Sequence, residues 1–238
     1  MSILRIDKFL SEMTRCSRNE IKDAVRRGEL TVNGLTVKKP DSKIDSEKDK
    51  IVFLGKEINY KKFVYLMLNK PEGVLSASND KSRKTVIDLL PEEYGNYELF
   101  PVGRLDKDTT GLLLITNDGN FAHKVISPKS LIEKSYLVKV DGQVPEDISR
   151  KFSQGIILAD GTKCASAVAE VLGDNLLRII ITEGKYHQIK RMLGVVNLGV
   201  VELHRERIGN LSLKSDLECG QVCELDIDEI KKISPFLP

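Results

Sequence analysis

Two carboxylates, Asp106 and Asp108, stand in a polar stretch bracketed by glycines: Phe100-Pro101-Val102-Gly103-Arg104-Leu105-Asp106-Lys107-Asp108-Thr109-Thr110-Gly111. Gly103 and Gly111 permit backbone angles that other residues resist. The apolar run over residues 112–115 suits a buried strand, and Asn117-Asp118-Gly119 is turn chemistry. This pattern predicts that Asp106 lies on a constrained loop anchored to the core. A carboxylate held that way can serve as nucleophile, base or metal ligand; a solvated loop aspartate is the ordinary alternative. Asp108, Thr109 and Thr110 read as loop residues bonding their own backbone.

Cations and an aromatic ring that could serve such a carboxylate lie further on. In Glu183-Gly184-Lys185-Tyr186-His187-Gln188-Ile189-Lys190-Arg191-Met192-Leu193, the apolar residues Ile189, Met192, Leu193 and Val196 are spaced for the buried face of a helix. His187, Lys190 and Arg191, at i, i+3 and i+4, are expected to share another face and aim at an anion. The alternating run over residues 134–140 predicts a strand with Tyr136, Val138 and Val140 on one face, where Tyr136 by periodicity alone is a core residue. Residues 201–209 alternate as another strand, with Arg205 and Arg207 expected outward. Lys70, in the turn Asn69-Lys70-Pro71-Glu72-Gly73 after a buried-strand run, is a substrate-contacting cation or a plain surface lysine.

Gly103-Arg104-Leu105-Asp106-x-Asp108-Thr109-x-Gly111-Leu112 resembles the catalytic motif of the RsuA-type pseudouridine synthases, which act on ribosomal RNA. The lysine–proline turn at Lys70, the Lys-x-Tyr of residues 134–136 and the stretch from Glu183 to Leu193 resemble that family's other motifs, in family order. The resemblance implies that Asp106 is the nucleophile, that Tyr136 packs on the target base and that Lys190, with Arg191 in reserve, pairs with the aspartate. It also implies that the glycosidic bond of a flipped-out uridine is broken and the base rejoined through carbon, with no cofactor and no metal. Burial alone would raise the pKa of Asp106, so the expectation is a dry pocket in which a neighbouring cation keeps it ionised. Arg104, two residues before it, is placed to fill the vacated stack or grip a phosphate. The run Lys185 to Met192, continuing through Leu203 to Gly209, looks most like the branch acting on small-subunit rRNA.

The elements that must position these groups are read from pattern. Ile6, Phe9, Leu10 and Met13 recur at helical spacing, and Ser17 with Glu20 forms a capping box that opens a second helix ending near Gly28. Arg18, Lys22 and Arg26 lie on one outward stripe of that helix, with Arg15 and Arg27 nearby. Asn33-Gly34 between alternating runs is a hairpin signal. This helix–helix–hairpin with a basic stripe resembles the S4 RNA-binding domain, whose cations would contact phosphates and supply affinity rather than sequence choice. Residues 51–54 are expected to be the last strand of the small domain, and residues 56–62 a linker. The predicted organisation is an S4-like domain over residues 1–60 and a catalytic domain over 61–238. The latter is α+β with a largely antiparallel mixed sheet, because strands separated by hairpin-type turns alternate with short helices.

Composition sets outer bounds. An apolar share of 41% in 238 residues supports proper cores, and a net charge of +2 makes the distribution of cations more telling than their sum. The four cysteines have no zinc spacing, no run is long enough to span a membrane, and the N-terminus does not read as a signal peptide. These bounds fit a cytoplasmic protein, nothing suggests an obligate oligomer, and the resemblance implies that it acts on ribosomal RNA. Two rival classes share some features. Asp106-x-Asp108-x-Thr110 fits an aspartate-nucleophile phosphatase, but no apolar strand directly precedes it. A non-catalytic ribosome-assembly factor would use the same basic surfaces without needing Asp106, Tyr136 and Lys190 together.

Overall fold

The computed structural model describes residues 3–14, 16–46, 48–58 and 61–234. It comprises two compact units, Met1–Phe63 with Glu92–Glu98, and Val64–Pro91 with Leu99–Pro238. The grouping differs from a single cut after residue 60, because the short segment at Glu92–Glu98 belongs with the first unit, where Asn96 Nδ2 donates to the Met13 carbonyl at 2.9 Å.

In the first unit, β1 (Ile3–Arg5) leads into α1 (Ile6–Met13) and α2 (Arg18–Arg26). The capping box forms as expected: Glu20 N donates to Ser17 Oγ at 3.3 Å, and Ser17 N to Glu20 Oε2 at 2.7 Å. Ile6, Phe9 and Leu10 of α1 pack on Ile21, Ala24 and Val25 of α2. Beneath them lie β2 (Leu30–Val32), β3 (Leu35–Thr36), β4 (Lys43–Asp45), β5 (Ile51–Phe53) and β6 (Lys56–Ile58). The four-stranded sheet runs β3-β2-β5-β6, and β1 pairs with β4 alone. The strand β6 corrects the expectation of a linker from residue 56. Leu54 and Gly55, at φ of 52° and 76°, make a second tight hairpin like that of Asn33 and Gly34. A leucine is rarely found at positive φ, so this turn has no sequence signal comparable to Asn-Gly.

The second unit is a nine-stranded sheet flanked by helices. In chain order come β7 (Tyr65–Lys70), β8 (Phe100–Pro101), β9 (Thr110–Thr116), α3 (Gly119–Ile126), β10 (Lys134–Asp141), α4 (Ile148–Ser153), β11 (Val168–Gly173) and β12 (Leu176–Ile181). They are followed by α5 (Gln188–Val195), β13 (Gly199–Ile208), β14 (Leu211–Ser212), β15 (Val222–Glu224) and α6 (Ile227–Ile233). The sheet order is β11-β12-β10-β13-β9-β7-β15, with β14 on β13 and β8 on β9. Every pairing is antiparallel except β13 with β9. The fold is thus α+β with a mixed, mostly antiparallel sheet. Residues 155–158 form no named strand and contribute one bridge, Ile157 with Lys163.

Two features of this sheet set up the site. The parallel contact places Gly111 against Arg205, so closely that a Cβ on residue 111 would stand 2.4 Å from the Arg205 carbonyl oxygen. Only glycine fits there, and its φ of +99° starts β9 at the required angle. The apolar residues Leu112, Leu113, Leu114 and Ile115 are all buried, which anchors the far end of the Asp106 loop.

Candidate active site

The loop between β8 and β9 carries Asp106, and three outside groups pin its backbone. Ser76 Oγ donates to the Leu105 carbonyl at 2.8 Å and accepts from Leu105 N at 3.1 Å. Gly73 N donates to the Lys107 carbonyl at 2.8 Å. Lys70 Nζ donates to the carbonyls of Thr109 at 2.9 Å, Pro71 at 3.0 Å and Lys107 at 3.3 Å. Lys70 is fully buried, which corrects the expectation of a surface lysine. It ends β7 pointing into the fold, where the turned-in carbonyls of the loop satisfy its amine. Burial pushes that amine down to about 8, against the opposing pull of Asp108 and Asp106.

On this platform Asp106 lines a pocket together with Arg104, Tyr136, His187 and Lys190. Lys190 Nζ lies 3.3 Å from Asp106 Oδ2 and 2.5 Å from Asp108 Oδ1. His187 Nε2 lies 3.5 Å from Asp106 Oδ1. Burial pulls the Lys190 amine down, but Asp108 and Asp106 together outweigh it, and its net pKa lies above the ordinary lysine value. The bond from Lys190 in turn holds Asp108 below its usual range. Asp108, expected to be a bystander, is therefore part of a three-charge arrangement. Tyr136 is buried in the pocket wall. The dry pocket is a different matter: the Asp106 side chain is 29% exposed. The loop ties down the backbone around it and leaves the carboxylate facing a cleft that is open to water.

The segment before α5 departs from a simple helical face. His187 precedes the helix in the left-handed region, at φ 47°, rather than starting a shared stripe. Gln188 clasps this turn: its Oε1 accepts from Lys185 N at 2.9 Å and its Nε2 donates to Glu183 Oε1 at 2.7 Å. Glu183 Oε1 also accepts from Ala165 N at 2.9 Å. Lys190 and Arg191 then diverge. Lys190 reaches Asp106, whereas Arg191 pairs with Asp160 at 2.5 Å.

Comparison with known proteins gives the family. The family profile for RNA pseudouridylate synthase matches residues 64–194, and that for the S4 domain matches residues 4–51. The chain belongs to the RNA pseudouridylate synthase family. It is 39% identical over 231 residues to an uncharacterised RNA pseudouridine synthase of Bacillus subtilis, covering 95% of this chain and 97% of that one. It is 38% identical over 234 residues to the ribosomal small subunit pseudouridine synthase A of Escherichia coli strain K12, covering 97% of this chain and 100% of that one. A solved structure described as a pseudouridylate synthase superposes with a TM-score of 0.69 at 35% identity, covering 97% of this chain and all of the other.

The remaining expected residues of this synthase fall in three groups. Arg104 is exposed at the pocket mouth. Arg18, Lys22 and Arg26 are exposed along α2; Arg26 pairs with Asp23 at 2.9 Å, Arg18 lies near enough to Asp7 to help hold it ionised, and Lys22 forms no ion pair among the described residues. Arg15 lies outside the described residues. The two arginines of β13 require correction, because they do not both face outward. Against β10, Tyr136 sits opposite Arg205 but Ser135 sits opposite Arg207, so Glu206 is an extra residue, a β-bulge. The bulge separates the two side chains to opposite faces. Arg205 is 4% exposed; its Nε donates to the Leu112 carbonyl at 2.7 Å and its Nη1 reaches the Tyr136 hydroxyl at 3.5 Å. It backs the tyrosine and faces the core rather than solvent. Arg207 is partly exposed, paired with Glu133 at 3.1 Å and bonded to the Gly209 carbonyl.

Sequence reasoning missed Ser76, Asp108, Glu183 and Gln188. The first lies thirty residues upstream of the aspartate in the chain's own numbering and has no motif to mark it. Asp108 did carry a signal, since it stands two residues from Asp106 in the same glycine-bracketed loop.

Proposed function

We propose that this synthase converts a uridine of small-subunit ribosomal RNA to pseudouridine, with Asp106 as the nucleophile. The single observation that carries the reading is the ion pair of Asp106 with Lys190, 3.3 Å apart in a pocket walled by Tyr136. The choice of small-subunit RNA is supported by full-length relatives named for it, at 38% identity in both Escherichia coli and Yersinia pestis.

The reaction breaks the bond from the uracil nitrogen to the ribose, turns the base, and forms a bond from a ring carbon to the same ribose carbon. The uracil ring carbon that makes the new bond loses its proton and the freed ring nitrogen gains one, so the change is an isomerisation. The uridine must first leave its stack, at a cost of roughly a few kcal/mol. Arg104 at the pocket mouth fills the gap or grips the adjoining phosphate. The base then lies against Tyr136, whose hydroxyl accepts from Arg205 and keeps its own proton free to donate. Asp106 supplies the negative oxygen that glycosidic cleavage requires. Because it is partly open to water in the free chain, the incoming nucleoside completes its desolvation, and Lys190 stays beside it as the charge partner when the water leaves. His187 flanks the second carboxylate oxygen.

Phosphate contacts from Arg18, Lys22 and Arg26 hold the RNA without choosing its sequence. All pocket residues come from one unit of one chain, so a monomer suffices. The test is ribosomal RNA from cells lacking this protein, incubated with wild type or Asp106→Asn and mapped for pseudouridine. One new site in small-subunit RNA with wild type and none with the variant is expected. Modification confined to large-subunit RNA would refute the substrate assignment, and an active Asp106→Asn would refute the nucleophile.

A further inference from the structure

Tyr186 is 72% exposed, the most exposed aromatic ring among the described residues. One face of its ring lies on His187, with centroids 3.9 Å apart and planes 17° from parallel. The other face is bare, and its hydroxyl bonds to nothing among the described residues. The same imidazole places Nε2 3.5 Å from Asp106. His187 does both by taking a left-handed backbone conformation that non-glycine residues seldom adopt. The turn is therefore built to hold Tyr186 one ring away from the reacting carboxylate. A groove runs from the active-site pocket past this ring toward Ser127 and Arg83, sharing Arg104, Asp106 and His187 with the pocket. Arg104 stands exposed at the junction with no acid partner among the described residues.

We propose that the open face of Tyr186 is a second nucleobase site, a stacking platform for the base adjacent to the uridine in the pocket. This rests on the reading that the pocket takes a flipped uridine. A single-stranded nucleotide offers an anionic backbone for Arg104 and a flat π-face for the tyrosine, and such stacking tolerates any base. Once the target leaves its stack, its neighbour loses a partner, and Tyr186 replaces it. The role is binding, so it sets RNA affinity and leaves the chemical step alone.

The chain has no tryptophan, so Tyr186→Trp introduces a single fluorescent reporter at the platform. Titrating it with short oligouridylate should quench its emission, and the same oligomer made of abasic nucleotides should not. With ribosomal RNA from cells lacking the protein as substrate, Tyr186→Leu should raise KM about tenfold with kcat within about twofold, and Tyr186→Phe should restore the wild-type KM. Equal quenching by the abasic oligomer, or an unchanged KM for Tyr186→Leu, would overturn the platform. A fall in kcat in Tyr186→Leu at constant KM would also overturn it, assigning the ring to buttressing His187 instead. If wild type forms no pseudouridine in that RNA, the function reading fails while the fluorescence titration still decides the platform.

Discussion

On α2, Arg18 and Lys22 stand in solvent with no direct ion pair among the described residues, whereas in the synthase unit Lys70 and Arg205 are sealed inside the fold and Lys190 lies between two carboxylates. The first arrangement suits a long, uniform ligand such as a phosphate backbone, which can be met at many positions by flexible side chains. The second suits chemistry, where one oxygen must be held in one place in one ionisation state. Equal formal charges therefore carry different work. If this contrast is right, removing cations from the pocket should change rate and pH dependence, while removing them from α2 should change only affinity and its response to salt.

The largest effect belongs to the carboxylate itself. Asp106→Asn should lower single-turnover pseudouridine formation by more than about a thousandfold. RNA affinity in a filter-binding titration should stay within a few-fold of wild type, because the α2 cations are untouched. A joint loss of rate and binding would erase the distinction between the two regions.

Lys190→Met comes next. One preorganised charge partner of a reacting group is typically worth about a hundredfold in rate. The variant leaves Asp106 with His187 as its remaining neighbour at 3.5 Å. Lys190 holds Asp108 below its usual range, so losing the cation lets Asp108 take up its proton at higher pH and the acid limb of the pH–rate profile should move with it. Lys190→Arg should retain a profile close to that of wild type. An unshifted acid limb in Lys190→Met would show that the charge of Asp108 does not bear on the rate.

Lys70→Met should act on stability first. It leaves three loop carbonyls without their shared donor, a loss of about 1–3 kcal/mol in chemical denaturation. The pH dependence has a definite sign. The folded-state pKa of Lys70 is about 8, below the ordinary 10.5, so between these values the unfolded chain holds more of the proton. Wild-type stability relative to Lys70→Met should therefore rise as pH increases through that window. A difference that is flat with pH would mean that Lys70 remains charged when buried.

These predictions rest on features that differ in how openly the chain displays them. The Ser17–Glu20 capping box and the Asn33-Gly34 hairpin are local, and residues within a few positions of each other settle them. The Asp106 loop was legible for the same reason, through its two glycines and the apolar strand after it. What could not be read depends on pairing partners far away. Whether Arg205 faces RNA or the core turns on a bulge at Glu206, which exists only relative to β10. Lys70 is buried because carbonyls some forty residues later curl around its amine, as the Lys70–Thr109 bond shows. Between Lys190 and Arg191, helical spacing alone could not choose; Asp160, on a different loop, captures the arginine. Family resemblance pointed to Asp106, Tyr136 and Lys190, which line one pocket, and the burial of the cations around them is what coordinates added.

The smallest effect is expected on α2. Arg18→Ala combined with Lys22→Ala removes two exposed cations that make no bond to the fold, so thermal stability should be unchanged. Each cation that contacts a phosphate contributes about one to the slope of log affinity against log salt concentration. Measured in binding titrations from low to physiological salt, the double variant should lose up to about two from that slope, and its affinity deficit should shrink as salt rises. Its kcat at saturating RNA should match wild type, since Asp106, Tyr136 and Lys190 all belong to the second unit. Retention of the full salt slope would mean that the stripe is only a solvated helix face, and the phosphate contacts would then have to be sought along the groove beside Arg104.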